Sequence, residues 1–258
     1  MMRFRSLGSG STGNATVVEA TCGTTTTRLL VDCGFGIRQL ERRLAMAGLA
    51  LADLDGVFIT HEHADHTGCV QQLALRERLP VWMSEGTHTA LGAVDFGGWL
   101  RLARDEQAIT LGALRLQPFT VPHDAREPLQ LTCSDGDATL GILTDLGHVT
   151  GHVAHHLQNC TALLLECNHD PDMVALSAYP AFLKQRITGR LGHLANAQAA
   201  ELLQRVRHGA LRQVVAAHLS AQNNRPELAR GALAAALGCA DSDIVVAQAE
   251  EGTDWLAG

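Results

Sequence analysis

Lysine is nearly missing from this chain of 258 residues: Lys184 is the only one, and arginine carries the rest of the positive charge. Aromatic residues make up 4% of the chain, with a single tyrosine, so the core has to be built mainly from aliphatic side chains. No apolar run approaches the ~20 residues that a membrane helix needs. No apolar signal core follows Met1-Met2-Arg3-Phe4-Arg5-Ser6, so neither a membrane span nor a secretory leader is expected. The seven cysteines are odd in number and scattered, without a C-x-x-C pair. Reduced thiols in a cytoplasm fit that usage better than a disulfide framework. A Pro/Ser linker, a low-complexity tract and a repeat of solenoid period are missing too, and residues 1–258 are expected to form a single domain. A hydrophobic content of 46% against 18% charged excludes disorder and allows a sizeable core.

Positive charge is scarce but unevenly spread. Net charge is −7, which argues weakly against a nucleic-acid partner. Yet Lys184, Arg186, Arg190, Arg205, Arg207, Arg212, Arg225 and Arg230 are opposed in their stretch only by Glu201 and Glu227. Arginine's planar fork suits phosphate, although arginines also simply coat solvated helix faces.

The densest chemistry is Thr60-His61-Glu62-His63-Ala64-Asp65-His66-Thr67-Gly68. It follows the strand-like run Gly56 to Ile59 and leads into a helical pattern from Gln71 to Arg78. Residues two apart in an extended segment share a side, so His61 and His63 can share one metal ion. The chain then turns, and Asp65 and His66 emerge on a second bearing towards a second ion. Three imidazoles and a carboxylate so close together suit borderline divalent cations.

Strand-like runs cover Arg3 to Leu7, Ala15 to Glu19, Thr25 to Val31, Pro80 to Met83, Ala108 to Leu111, Ala113 to Phe119, Leu129 to Cys133 and Ala138 to Leu143. Ser134-Asp135-Gly136-Asp137 reads as a hairpin turn. Helix is predicted over Ile37 to Ala47. In the second half helices are predicted over His148 to Leu157, Ala178 to Arg186, Asn196 to Arg207 and Pro226 to Leu237. Strands Thr161 to Glu166, Gln213 to Ala217 and Asp243 to Gln248 lie between and after them. Strands followed by helices, twice over, suit two packed sheets flanked by helices.

The H-x-H-x-D-H spacing is also a family signature, and over nearly its whole length the chain resembles the metallo-β-lactamase-fold hydrolases. It most resembles the bacterial YycJ/WalJ subgroup. The carriers are Ser6 to Asn14, Val31-Asp32-Cys33-Gly34, the histidine run, Val121-Pro122-His123-Asp124-Ala125 and Thr144-Asp145-Leu146-Gly147. They continue with Leu165-Glu166-Cys167-Asn168-His169-Asp170, Gly192-His193-Leu194, Ala217-His218-Leu219-Ser220 and Asn223-Asn224. The resemblance implies an α/β fold of αβ/βα four-layer sandwich type, with the metal site at the edge between two sheets. It also implies two divalent ions per chain, zinc or manganese with iron as a further fit. His123 would complete the first ion's trio with His61 and His63. His218 would join Asp65 and His66 on the second, and Asp145 would bridge the two. Asp32 and Asp124 would orient ligands rather than bind metal.

His193 stands before an Ala-rich helix start, as a similar histidine does in ribonuclease Z and its relatives, where it supplies a proton or positive charge by the leaving group. Glu166 ends a strand and could hold that imidazole in one tautomer. His193, Asp65 and Glu166 thus form the expected catalytic set, with a metal-bridging hydroxide as nucleophile. His148, His152, His155 and His156 fall at helical spacing and read as a solvated helix face, with His148 close enough in sequence to line the site. The Gly8–Asn14 turn could offer N–H groups to a phosphate. Cys33 and Cys167 read as buried inert thiols.

The function implied is a phosphodiesterase, a nuclease acting on DNA from the 5′ end. Arg186, Arg190 and Arg225 are the candidate phosphate contacts. The short spacing from His123 to Asp145 leaves no room for the tRNA-gripping arm of ribonuclease Z. A small-molecule phosphodiesterase or ester hydrolase on the same fold is the alternative, and a regulatory protein with a vestigial metal site a third reading.

Overall fold

Neighbouring residues along a strand point to opposite faces of a sheet, and here both faces of the central strands are apolar. Leu29, Phe58, Leu164 and Val215 point into a core shared by two sheets, while Leu30, Val57, Leu163 and Val214 point outward beneath helices. This double burial explains why the central strands read as almost continuous hydrophobic runs. The computed structural model describes residues 1–258 and arranges them as two seven-stranded sheets.

The first sheet contains β1 (Met2–Gly8), β2 (Ala15–Cys22), β3 (Thr25–Val31), β4 (Gly56–Phe58), β5 (Val81–Met83) and β6 (Leu100–Leu102). The second contains β7 (Ile109–Leu111), β8 (Leu114–Thr120), β9 (Leu129–Ser134), β10 (Thr139–Leu143), β11 (Ala162–Glu166), β12 (Gln213–Ala217) and β13 (Val245–Val246). The last strand, β14 (Leu256–Ala257), returns to pair with β1. The spatial orders are β14-β1-β2-β3-β4-β5-β6 and β13-β12-β11-β10-β9-β8-β7. Each sheet starts as an antiparallel meander and becomes parallel, from β3 onward in the first and from β10 onward in the second.

Helices α1 (Ile37–Met46), α2 (Ala64–Thr67), α3 (Val70–Glu77) and α4 (Glu85–Ala90) accompany the first sheet, and Leu40, Leu44 and Leu73 seal its outer face. The second is accompanied by α5 (Gly151–Leu157), α6 (Pro171–Leu176), α7 (Ala181–Thr188), α8 (Asn196–Val206) and α9 (Pro226–Leu237), with Leu157, Leu202, Leu203 and Leu233 on its outer face. Helix–sheet–sheet–helix layering is the four-layer sandwich expected from the sequence. No helix is long and apolar enough to cross a membrane.

Local chemistry corrects several predicted boundaries. Thr150 caps α5 by accepting the Val153 N–H at 3.1 Å, so the helix starts at Gly151 and leaves His148 outside. Pro180 is extended and serves as the N-cap of α7, which delays that helix to Ala181, as a proline restricts the residue before it. Around Asp241–Asp243 a 3₁₀ turn closes, with the Asp243 carboxylate accepting the Ala240 N–H, and only Val245–Val246 remain as strand. The hairpin after β9 is present, Asp135 Oδ1 accepting the N–H groups of Asp137 and Ala138.

Candidate metal centre

Six strands from the two sheets finish at one edge. Asp32 follows β3, His61 comes after β4, His123 after β8 and Asp145 after β10, while Glu166 ends β11 and His218 follows β12. Asp32 and His218 are held at φ 60° and φ 53°, a left-handed conformation uncommon outside glycine, and each turns its side chain back over the edge.

Two sets of donor atoms meet there. His63 Nδ1 lies 3.0 Å from His61 Nε2 and 3.3 Å from His123 Nε2. Beside them, Asp65 Oδ2 lies 3.6 Å from His66 Nε2 and 3.5 Å from His218 Nε2. Asp145 stands between the sets, with Oδ1 3.6 Å from His123 Nε2 and Oδ2 3.1 Å from His66 Nε2. The other nitrogen of each inward-facing ring is occupied. His61 Nδ1 meets Thr60 Oγ1 at 2.9 Å, His66 Nδ1 meets Asp32 Oδ2 at 2.7 Å, His123 Nδ1 meets the Gly192 carbonyl at 3.0 Å and His218 Nδ1 meets the Thr144 carbonyl at 2.5 Å. Such partners fix the tautomer that leaves Nε2 free to ligate. Asp32 is itself anchored by the N–H and hydroxyl of Thr60.

The donor set fits divalent ions. Three imidazole nitrogens crowd together at 3.0–3.3 Å, and Asp145 Oδ2 is buried without a well-formed hydrogen bond. Burial, reinforced by the charge of His66, holds His61 well below its ordinary pKa, and burial lowers His123 as well. Those two rings are therefore neutral, as ligands must be. Burial also works against charge on His66, but Asp32 and Asp145 outweigh it and raise the pKa to about 10. His218 is raised likewise, chiefly by Asp145 against the effect of burial. Asp145 in turn is driven well below the carboxylate range by His218 and His66, despite its burial.

A cavity of 390 Å³ opens over this edge, lined among others by His63, Asp65, Asp145, His193 and His218. His193 Nδ1 is 2.7 Å from Glu166 Oε1. Arg186 also lines the cavity and reaches Asp124 at 2.6 Å, while Asp124 Oδ1 is 3.3 Å from His123 Nε2. Arg190 and Arg225 do not line it: Arg190 Nη2 turns to His148 at 3.3 Å, and Arg225 sits at the N-cap position of α9. His148 points its Nδ1 at the Arg190 carbonyl and also stays outside. The helical histidines are not all solvated, because the His156 ring stacks on Phe119.

The first turn of the chain acts differently from a phosphate cradle. Gly10 N–H is spent on Asn14 Oδ1, Asn14 N–H on the Asp65 carbonyl, and Ser9 Oγ accepts the His218 N–H. The turn thus props two donor residues. Asn14 belongs to a motif visible in the sequence, but its contacts, with its amide 3.4 Å from Asp65 Oδ2 and 3.2 Å from His66 Nε2, are not. Asn168, in the Asn-His-Asp motif, has the same sort of task, its amide donating to the His218 carbonyl at 3.0 Å. Tyr179, Leu183 and Ile187 form a cavity wall that no sequence pattern announced. Cys167 is fully buried, and burial pushes its thiol up, away from reactivity.

A family model described as the beta-lactamase superfamily domain matches residues 27–219. Across 236 residues the chain is 34% identical to the exodeoxyribonuclease YycJ of Bacillus anthracis, covering 89% of this chain and 86% of that one. Across 250 residues it is 33% identical to the exodeoxyribonuclease WalJ of Streptococcus pneumoniae serotype 2, covering 95% and 91%. The crystal structure of the metallo-beta-lactamase fold protein YhfI from Bacillus subtilis matches with a TM-score of 0.75 at 16% identity, over 100% of this chain and 99% of that one. This last likeness is one of fold.

Proposed function

The chain belongs to the beta-lactamase superfamily and is a metal-dependent hydrolase, and from that premise we propose that it is a two-metal phosphodiesterase, a DNA exonuclease running from the 5′ end. The observation that carries this reading is the joining of one donor-lined edge to His193 and Arg186 in a single open cavity. Likeness over most of the chain to two exodeoxyribonucleases supports the choice of substrate.

In this reading His61, His63 and His123 would hold one ion and Asp65, His66 and His218 the other, with Asp145 placed between the two sets. When bound, two divalent cations acidify water into the neutral range and offset charge developing on a phosphoryl group. Zinc suits the histidine-rich set, and manganese or iron fits the same donors.

The protein's own groups do the rest. Glu166 holds His193 through Nδ1, so Nε2 is left to face the cavity as the general acid that protonates the leaving oxygen. A nucleotide oxygen is a poor leaving group and needs that proton. Arg186, tethered by Asp124 beside the first trio, offers a guanidinium to a phosphate of the substrate.

Digestion of 5′-labelled DNA and RNA, each single and double stranded, with and without a chelator, tests the proposal. Metal-dependent release of nucleotides from the 5′ end of DNA is expected. Turnover of bis-p-nitrophenyl phosphate with no cleavage of any polynucleotide would overturn the nuclease reading in favour of a small-molecule phosphodiesterase.

A further inference from the structure

A second group of ligand-type side chains lies away from the edge just described. His152 and His156 are four residues apart on α5 and share a face. Opposite them is the turn between β6 and β7, bearing Asp105 and Glu106. This turn is fastened to β8 at both residues: Glu106 N–H donates to the Pro118 carbonyl at 3.0 Å, and Asp105 Oδ1 accepts the Thr120 N–H at 2.9 Å. Glu106 is held there at φ 58°, a conformation that a non-glycine residue adopts only under constraint.

The two histidines are poised in complementary ways. His152 Nε2 is 3.2 Å from Asp105 Oδ1, a contact that orients the ring with Nδ1 turned towards Glu106. His156 is stacked flat on Phe119, ring centroids 4.7 Å apart and planes 7° apart. The stacking leaves its side chain only 10% exposed, and its Nε2 is buried with no partner. Buried polar atoms are almost always satisfied, so this one calls for a partner. His156 Nε2 faces Glu106 Oε1 at 3.9 Å, and His152 Nδ1 faces the same oxygen at 4.0 Å.

We propose that His152 Nδ1, His156 Nε2 and Glu106 Oε1 hold one further divalent cation of the zinc class, with Asp105 as the carboxylate that orients His152. Two imidazoles, a carboxylate and an open position for water make a donor set zinc favours. A carboxylate behind a ligating histidine is the usual support. The donors stand somewhat wider than the ~3.4 Å edge that metal–ligand bonds of about 2.1 Å imply for a tetrahedron. Glu106 is 66% exposed and can close that gap by turning its side chain. Burial, with the neighbouring His152 and His155, lowers the His156 pKa and keeps the ring neutral. The ion enters from a solvent-open hollow lined by Asp105, Thr120, Val121, Pro122, Thr150 and His152. There it clamps α5 and the Glu106 turn to the strand end that leads into His123.

Equilibrium dialysis of the full chain against buffered zinc at neutral pH, with metal counted by elemental analysis, tests the site. Wild type is expected to hold one equivalent more than His152→Ala and one more than Glu106→Gln, whereas His155→Ala matches wild type. Circular dichroism checks that the variants keep their fold, and both altered side chains are partly solvated. The quantity read is a difference, so a failure of the two-metal reading changes every total and leaves the difference intact. Equal uptake by all four proteins, or the same deficit in His155→Ala, would overturn the assignment.

Discussion

Glu166 binds His193 Nδ1 with one carboxylate oxygen, at 2.7 Å, and accepts the N–H groups of Leu146 and Leu194 with the other, at 2.8 and 3.2 Å. Burial by itself would depress the His193 pKa, but the Glu166 charge and hydrogen bond, with Asp145, reverse this and the net shift is upward. An acid with a raised pKa remains protonated to higher pH, and activity is lost as pH rises through that value. Glu166→Gln removes the charge at nearly constant shape, so the basic limb of the kcat/KM profile is expected to move to lower pH. A limb that does not move would belong to another group.

His193→Ala is expected to lower kcat by about 10²–10⁴, the range for a lost general acid, with metal content unchanged. The deficit should shrink on bis-p-nitrophenyl phosphate, whose leaving p-nitrophenolate hardly needs a proton. Equal losses on good and poor leaving groups would reduce His193 to a positioning residue.

Metal uptake should depend on pH differently at the two trios. His61 and His123 are held neutral, whereas His66 and His218 have raised pKa values and are protonated at neutral pH. Two protons must leave before the Asp65 trio can bind an ion, so its affinity should rise by up to about 100-fold per pH unit through the neutral range. The His61 trio, in which His61 and His123 have no proton to lose, should show a shallower dependence. Zinc titrations from pH 6 to 8, with proton release followed in parallel, separate the two; equal slopes would contradict the assigned protonation states.

Asp145→Asn should lower bound metal and activity together, because one carboxylate serves both donor sets. Elemental analysis showing two ions still in place would remove Asp145 from the bridging position.

Arg186→Ala should raise KM for oligonucleotides by roughly 10-fold, as for a lost charge-assisted contact. Arg190→Ala and Arg225→Ala, which alter residues outside the cavity lining, should have smaller effects. Steady-state kinetics on one oligonucleotide at fixed salt makes the comparison, and equal effects in all three variants would mean that the substrate track extends well beyond the cavity.

The parts of this site that could be read from the sequence are those coded by short spacing. His61, His63, Asp65 and His66 are near neighbours in the chain, and His123, Asp145 and His218 each end a run with clear strand character. Asn14 was out of reach because its role depends on meeting Asp65, 51 positions away. The wall made by Leu183 and Ile187 of α7, with Tyr179 just before it, was hidden for a related reason: α7 buries no residue and so leaves no apolar stripe to read. Arg190 and Arg225 show the converse, since closeness in sequence to His193 and His218 did not carry them into the cavity. The strands β6 and β14 hold three and two residues, too few for an alternation to register.

The donor residues are divided between the sheets, His61, His63, Asp65 and His66 following a strand of the first and His123, Asp145 and His218 following strands of the second. An ion held by both groups is therefore a rivet across the seam. A nascent chain carries its histidine-rich segment long before residue 218 has been synthesised, so the His61 trio is complete once residue 123 has emerged, whereas the Asp65 trio waits for His218. On the two-metal reading the second ion would be captured later than the first, and each would tie the docking of the two halves to their chemistry.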